Sequence, residues 1–246
     1  MKECSKSIPR RLAHPNFTNR YFVGDGLDIG GKPDPLVLYL ELFSRMTSVR
    51  TWDWEDGDAQ YLQSVADGTY DFVHSSHCLE HLRDPHEGLK NWFRVLKPGG
   101  HLIVTIPDED LYEQGQFPPP TFNKDHKWTF TIFKPTSWST HSISVLALVQ
   151  ELGLEADVQR IELLNSTYRY SLPRYDQTLT PVGECGIEFV VRRRFPDEIA
   201  HKGHLRPGTP QPSAELRRHF NQYRDDMTTL KSGNSSRPPF TNEEPL

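Results

Sequence analysis

Residues 70–106 leave the chain few ways to fold. Tyr70-Asp71-Phe72-Val73-His74-Ser75 has the make-up of a buried strand and follows the turn signal Asp67-Gly68. Asp84 then offers a helix N-cap, Pro85 suits the first helical position, and Glu87 stands three residues after the cap. Leu89, Trp92, Phe93 and Leu96 recur at i, i+3, i+4 and i+7, which is one apolar helical face. Lys97-Pro98-Gly99-Gly100 stops that helix, and His101 to Ile106 resumes as a continuous apolar strand. A strand, a crossover helix and a second strand imply parallel pairing, and parallel sheets are covered on both faces. The expected class is α/β, a doubly wound, mostly parallel sheet with helices on both faces.

The remaining segments extend this unit. Gly26 to Gly31 reads as a short strand broken by glycines, Leu36 to Met46 as a helix, and Ser48 to Trp52 as a second strand. Trp138 to Leu152 reads as a helix ended by Gly153, and Val158 to Leu164 and Ile187 to Arg192 as strands. Residues 1–22 are basic and polar, an arm or short helix lying against a domain that spans 23–200. Within that domain, residues 108–134 form a proline-rich, aromatic insertion placed to cap a substrate. Residues 201–246 are a proline-rich tail. In it, Leu216, Phe220, Tyr223, Met227 and Leu230 alternate by four and three, the stripe of an amphipathic helix over 213–230, with a disordered end beyond. That helix either docks on its own domain or forms a homodimer seam.

The charge balance narrows the partners. A formal net charge of −5 argues against a phosphate-binding face, hence against nucleic acid. The basic run Arg192-Arg193-Arg194 reads as the solvated end of an edge strand. Cys4, Cys78 and Cys185 have no metal spacing and suit a reducing compartment. With neither an apolar leader nor a run of membrane-spanning length, the expectation is a cytoplasmic protein away from the membrane.

In open parallel sheets, ligands sit beyond the carboxyl ends of the strands. Asp28-Ile29-Gly30-Gly31 ends the first strand, and its glycines let the backbone come close to a ligand. Asp53 follows the second strand, where an acid can accept both hydroxyls of a ribose. Asp58-Ala59 is a further acidic step able to border an adenine, and Ser75 and His77 stand at the end of the Tyr70 strand.

Asp71-Phe72-Val73, Leu79-Glu80-His81-Leu82, Asp84-Pro85 and Arg94-Val95-Leu96-Lys97-Pro98-Gly99-Gly100 before an apolar strand resemble the class I methyltransferases that use S-adenosylmethionine. The resemblance runs from about Gly24 to Pro107, and extends faintly through 108–127 toward a bacterial, uncharacterised branch. It implies a Rossmann-like sheet and S-adenosylmethionine as cofactor. Asp28, Gly30 and Gly31 would shape the methionine pocket, Asp53 hold the ribose, Asp58 and Ala59 border the adenine, and Ser75 line the cleft. His77 matches the position beside the methionine end and the acceptor. Two departures stand out: the third glycine of the family's turn is missing, since Gly31 leads into Lys32-Pro33, and the stretch from Gly31 to Asp58 is short, as if trimmed between the family's first and fourth strands.

The sulfonium supplies the reactive chemistry, so the protein has to align the acceptor and take its proton. Histidine titrates near neutrality and suits that task. His77 is the candidate by position and His126 by its place in the capping insertion. Asp108, Glu109, Asp110 and Glu113 could hold Mg²⁺, but acids there also cap a helix, and no metal is expected. Tyr112, Phe117, Phe122, Trp128 and Phe130 supply aromatic walls or packing. The expected reaction is methyl transfer to a small molecule or glycan, at a hydroxyl oxygen. One alternative is a non-catalytic cofactor-binding module acting through a partner. Another, an NAD-dependent dehydrogenase, would want the G-x-G-x-x-G turn that Gly30-Gly31-Lys32-Pro33 lacks.

Overall fold

The structure is a computed structural model that describes residues 3–117, 124–210 and 213. It divides into residues 1–200 and 201–246. In the first unit, the strands β1 (Gly24–Ile29), β2 (Met46–Trp52), β3 (Tyr70–Ser76), β4 (Leu96–Pro107), β7 (Ala156–Leu164) and β8 (Gly186–Arg193) form one sheet in the order β2-β1-β3-β4-β8-β7. A small parallel pair, β5 (Thr129–Thr131) with β6 (Ser142–Ser144), stands apart. The helices are α1 (Glu3–Leu12), α2 (Pro85–Arg94), α3 (Val145–Gln150) and α4 (Pro196–His201). In the second unit, the described residues after His201 form turns and bends. The amphipathic helix expected over 213–230, and with it the homodimer seam, lies outside the described residues apart from Ser213.

The β3–α2–β4 crossover forms, but the helix ends at Arg94, so Leu96 and residues 97–100, read as helix face and turn, begin β4 instead. Asp84 accepts hydrogen bonds from the backbone N–H of His86 (2.9 Å) and Glu87 (3.1 Å), with Pro85 in the first turn. Leu89, Trp92 and Phe93 bury the helix face against the sheet. Pairing is parallel across β2-β1-β3-β4 and antiparallel across β4-β8-β7. β8 is thus an interior strand. Arg192 and Arg193 are held by Asp157, Glu198 and Glu155 rather than forming the solvated end of an edge.

Side chains alternate across the sheet with period two. Leu27, Ile29, Val73, Leu102, Val104, Phe189 and Val191 join the core on the α2–α3 side. Phe72, Ile103 and Val190 join the opposite core, with Phe17, Tyr21, Phe22 and Phe43. On that second face the apolar row gives way to Asp28, His74, Thr105 and Glu188, all buried. Arg11 of α1, itself fully buried, ties this row together: it donates to Glu188 Oε2 (2.8 Å), to Thr105 Oγ1 (3.0 Å) and to His74 Nε2 (3.0 Å). Residues 3–12 are therefore helical and part of the wall.

Two further segments fold differently from their sequence reading. Leu36–Leu42 forms 3-10 turns, with Leu38 and Leu42 exposed, because the run LVLYLEL has no single apolar stripe. Helix α3 begins only at Val145, since Ser142–Ser144 pairs with β5 and Ser144 then caps the helix through Ala147 N–H. Between Trp52 and Tyr70 the described chain makes turns and no strand, as the trimmed segment implied.

Candidate active site

β1 and β3 are neighbours, yet the chain leaves β1 toward β2 on the other side, so the sheet has its topological switch point between them. A cavity of about 810 Å³ opens there, within the usual range for small-molecule sites. Its floor carries Asp28, Gly30 and Gly31 from β1, and His74, Ser76 and His77 from β3. Trp52, Asp53, Asp58 and Ala59 form one side; Glu80, His81 and His126 form the other; Glu3 and Cys4 of α1 contribute a wall.

The Asp28 carboxylate is fully engaged. Oδ1 lies 2.6 Å from His74 Nδ1 and Oδ2 accepts from Leu36 N–H at 2.7 Å. Because His74 Nε2 accepts from Arg11, the His74 proton resides on Nδ1, and burial lowers the imidazole's pKa, keeping it neutral. Asp28 thus fixes the turn that follows β1. A Cβ on Gly31 would lie 2.3 Å from Asp28 Oδ2, and one on Gly30, at φ +69°, would strike Cys78, so both glycines are required by close packing.

Asp53 stands at the end of β2, half-buried, accepting from Trp54 N–H (2.8 Å) and Lys32 N–H (3.3 Å). It pins the two loops on either side of the cavity and keeps its carboxylate at the cavity wall. Asp58 accepts from Gln60 N–H (2.9 Å) and from Arg83 (3.1 Å), and the Ala59 carbonyl accepts from Trp92 Nε1 (2.8 Å). Ser75 is turned inward: its hydroxyl donates to the Ile29 carbonyl at 3.0 Å and does not line the cavity. The next residue, Ser76, does line it, with a buried hydroxyl that has no hydrogen-bond partner among the described residues. Strand alternation explains the exchange, since neighbouring residues face opposite ways.

The histidines gather at the far side. His77 takes the left-handed φ of +54° where β3 ends. Burial alone would depress its pKa, but the Glu80 carboxylate beside it prevails and the value is raised. His126 comes from the capping insertion and is buried; its Nδ1 lies 2.5 Å from Glu113 Oε1, and its ring stacks on Tyr112. Burial raises the Glu113 pKa, with His126 opposing. The insertion is fastened to residues 80–82 by Lys127 N–H to the Glu80 carbonyl (2.9 Å) and Trp128 Nε1 to the Leu82 carbonyl (3.1 Å). Sequence reasoning missed Glu80, which sits between the imidazoles and is fully buried. Burial pushes its pKa up, but the facing His77, His81 and His126 outweigh that and hold it at about 2. The Cys78 thiol, pushed up by burial to about 12, is no nucleophile.

The acids considered for Mg²⁺ are otherwise employed. Asp108 caps the turn after β4 through Asp110 and Leu111 N–H, both at 3.0 Å. Glu109 is buried among Lys134, Ser137, Ser142 and Thr129. Asp110 pairs with Lys134, and Glu113 faces His126. They do not converge on one point.

The residues present suit a nucleoside sulfonium: a glycine turn at the switch point, an acid at the end of β2, an unpartnered hydroxyl at the end of β3 and sufficient volume. Residues 4–157 match the family model described as a methyltransferase domain. The ubiquinone/menaquinone biosynthesis C-methyltransferase UbiE of Roseobacter denitrificans is 39% identical over 153 residues, covering 61% of this chain and 52% of that protein. The chain therefore matches about half the length of this curated relative. Solved structures that overlay on it include a SAM-dependent methyltransferase from Archaeoglobus fulgidus (16% identity, TM-score 0.47, 78% of this chain and 95% of that one). Another is the Haemonchus contortus phosphoethanolamine N-methyltransferase 2 in complex with S-adenosyl-L-methionine (13%, TM-score 0.46, 76% and 53%). Among the described residues no helix is long and apolar enough to cross a membrane. With the family model covering well over half its length, the chain belongs to the methyltransferase-domain family, whose methyl donor is S-adenosylmethionine.

Proposed function

We propose that this protein transfers the methyl group of S-adenosylmethionine to a small-molecule acceptor whose nucleophile carries a proton, a hydroxyl oxygen of a metabolite or glycan in the first instance. The observation that carries this reading is the cavity at the β1/β3 switch point, with Asp53 on one side and a histidine–carboxylate cluster on the other. Bound there, the cofactor supplies an electrophilic methyl carbon. Asp53 is the residue assigned to the ribose, Asp58 and Ala59 to the adenine edge, and Gly30, Gly31 and Ser76 to the methionine end. Asp28 acts one step removed, by holding the turn that presents Gly30 and Gly31.

His77 and His126 are the proton acceptors in this reading. Each has a carboxylate neighbour, Glu80 at 3.5 Å and Glu113 at 2.5 Å, and Glu80 favours the imidazolium that His77 forms when it takes up a proton. Holding the acceptor in line matters at least as much as accepting its proton, and the insertion fastened over residues 80–82 suits that task.

Methylation of a carbon is a second reading, favoured by the similarity to the C-methyltransferase UbiE. Both reactions need a base, and the position of the new methyl group separates them. Calorimetric titration with S-adenosylhomocysteine and with NAD tests the common core. Binding of the former alone is expected; binding of NAD alone overturns the proposal. A methyl-transfer screen over phenols, quinol precursors and sugars then identifies the acceptor.

A further inference from the structure

We infer that Glu80, His81 and His126 form a binding site for a divalent transition-metal ion at the acceptor end of the cavity. Glu80 is fully buried, and among the described residues neither of its carboxylate oxygens has a hydrogen-bond partner. Three other buried acids are matched: Glu188 by Arg10 and Arg11, Glu109 by Lys134 and three hydroxyls, Asp28 by Leu36 N–H and His74; Glu113 has His126 on one oxygen and leaves the other unpartnered among the described residues. What faces Glu80 instead is nitrogen. His81 Nε2 and His126 Nε2 each lie 3.9 Å from the same oxygen, Oε1, and His77 Nδ1 lies 3.5 Å from it. The two 3.9 Å separations are too long for hydrogen bonds but leave room for an ion, while His77 is the nearest of the three imidazoles to the carboxylate.

The far side of both ligand rings supports the assignment. His126 Nδ1 faces Glu113 Oε1 at 2.5 Å, and His81 Nδ1 faces Asp125, its carboxylate at 3.1 Å and its backbone carbonyl at 3.2 Å. Each acceptor places the ring proton on Nδ1 and leaves the Nε2 lone pair directed at Glu80. A carboxylate or backbone carbonyl behind a ligating imidazole is the usual support of a metal site, fixing tautomer and ring orientation together. The candidate donor atoms of the three residues all lie within 4.8 Å of one another. Bonds of about 2.0–2.1 Å put two donors on a tetrahedral ion roughly 3.4 Å apart. The two 3.9 Å gaps to Glu80 therefore need to close by about half an ångström each.

Two imidazoles and one carboxylate suit zinc or ferrous iron, and such a set leaves coordination positions open. All three residues line the cavity, so the open positions face its interior. The ligand class expected there is an oxygen donor, the hydroxyl or phenolic oxygen of the acceptor. That last step rests on the proposed function, and with the ion bound His126 is a ligand and His77 alone remains to take the acceptor's proton; the metal site itself does not rest on that function.

The test uses the full chain, stripped with a chelator and titrated with Co²⁺ by calorimetry and visible absorption. S-adenosylhomocysteine binding is measured on the same samples. One Co²⁺ per chain is expected, with visible bands of nitrogen-and-oxygen ligation. Glu80→Gln and His81→Ala should abolish this binding, and Glu113→Gln should weaken it by about 10–100-fold. If Glu80→Gln does not fold, His81→Ala, whose ring is partly exposed, carries the test. Absence of stoichiometric Co²⁺ binding, or its persistence in the folded variants, overturns the site whatever the cofactor result. Co²⁺ binding without S-adenosylhomocysteine binding would instead leave the site standing and remove the proposed function.

Discussion

Asp28 and His74, opposite one another in the register of β1 and β3, are joined by a 2.6 Å hydrogen bond inside the sheet. This pair links the core to the cavity. On one side His74 accepts from Arg11 of α1; on the other Asp28 holds the Leu36 N–H and so sets the turn through Gly30 and Gly31. The cavity floor therefore depends on a buried polar row that also anchors the N-terminal helix.

Arg11→Met should reveal that dependence. The change removes three hydrogen bonds and leaves Glu188 with Arg10 as its remaining cation. Breaking one side of a buried ion pair costs about 3–5 kcal/mol, and urea unfolding should show a loss approaching that size. S-adenosylhomocysteine affinity should fall as well. An unchanged urea midpoint would contradict the role given to Arg11.

Ser75 and Ser76 should behave oppositely. Ser75→Ala loses the bond to the Ile29 carbonyl and should cost about 1 kcal/mol of stability with cofactor affinity unchanged. Ser76→Ala removes an unpartnered hydroxyl at the cavity and should leave stability intact while weakening S-adenosylhomocysteine binding. Equal effects of the two changes on affinity would refute the assignment.

How much of this was legible in the sequence follows from which contacts are local. The β3–α2–β4 unit was readable because Asp84, Pro85 and the Leu89–Trp92–Phe93 stripe act over a few residues. Ser75 was misplaced by one position because a single-residue error in a strand exchanges its two faces. Glu80 gave no signal, since its importance comes from His126, carried in by a separate segment. The burial of Arg11 was equally hidden, because its partner Glu188 lies on β8 near the other end of the unit. The antiparallel direction of β8 could not be read either: apolar periodicity marks a strand without giving its direction.

Acid should destabilise the fold in two stages. Burial, with the charges of Arg192 and Arg20, pushes His101 down to about 4. The unfolded chain then takes up this proton first, so its stabilising share is complete above about pH 6.5 and is lost as pH falls toward 4. For Glu188, burial pushes the pKa up, but Arg11 and Arg10 outweigh it and hold the value at about 2, so its share is lost from roughly pH 4.5 downward. His74, also lowered by burial, adds to the upper stage, so His101→Phe should shrink that stage in urea titrations across pH without abolishing it, while leaving the lower one. A variant whose profile matches the wild type above pH 4 would contradict this.

Asp53→Ala should weaken S-adenosylhomocysteine by about 1.5–3 kcal/mol, the worth of hydrogen bonds to a charged group, which is roughly tenfold or more in the dissociation constant. The melting temperature serves as control, because the carboxylate also caps the turn at Trp54. An unaltered dissociation constant would remove Asp53 from the site.

The most direct measurement is a crystal structure of the full chain grown with S-adenosylhomocysteine. The expected result is density in the switch-point cavity, with the ribose hydroxyls on Asp53 and the thioether end toward Ser76 and His77. Density at any other place, or an empty cavity at saturating ligand, would contradict the account at its root.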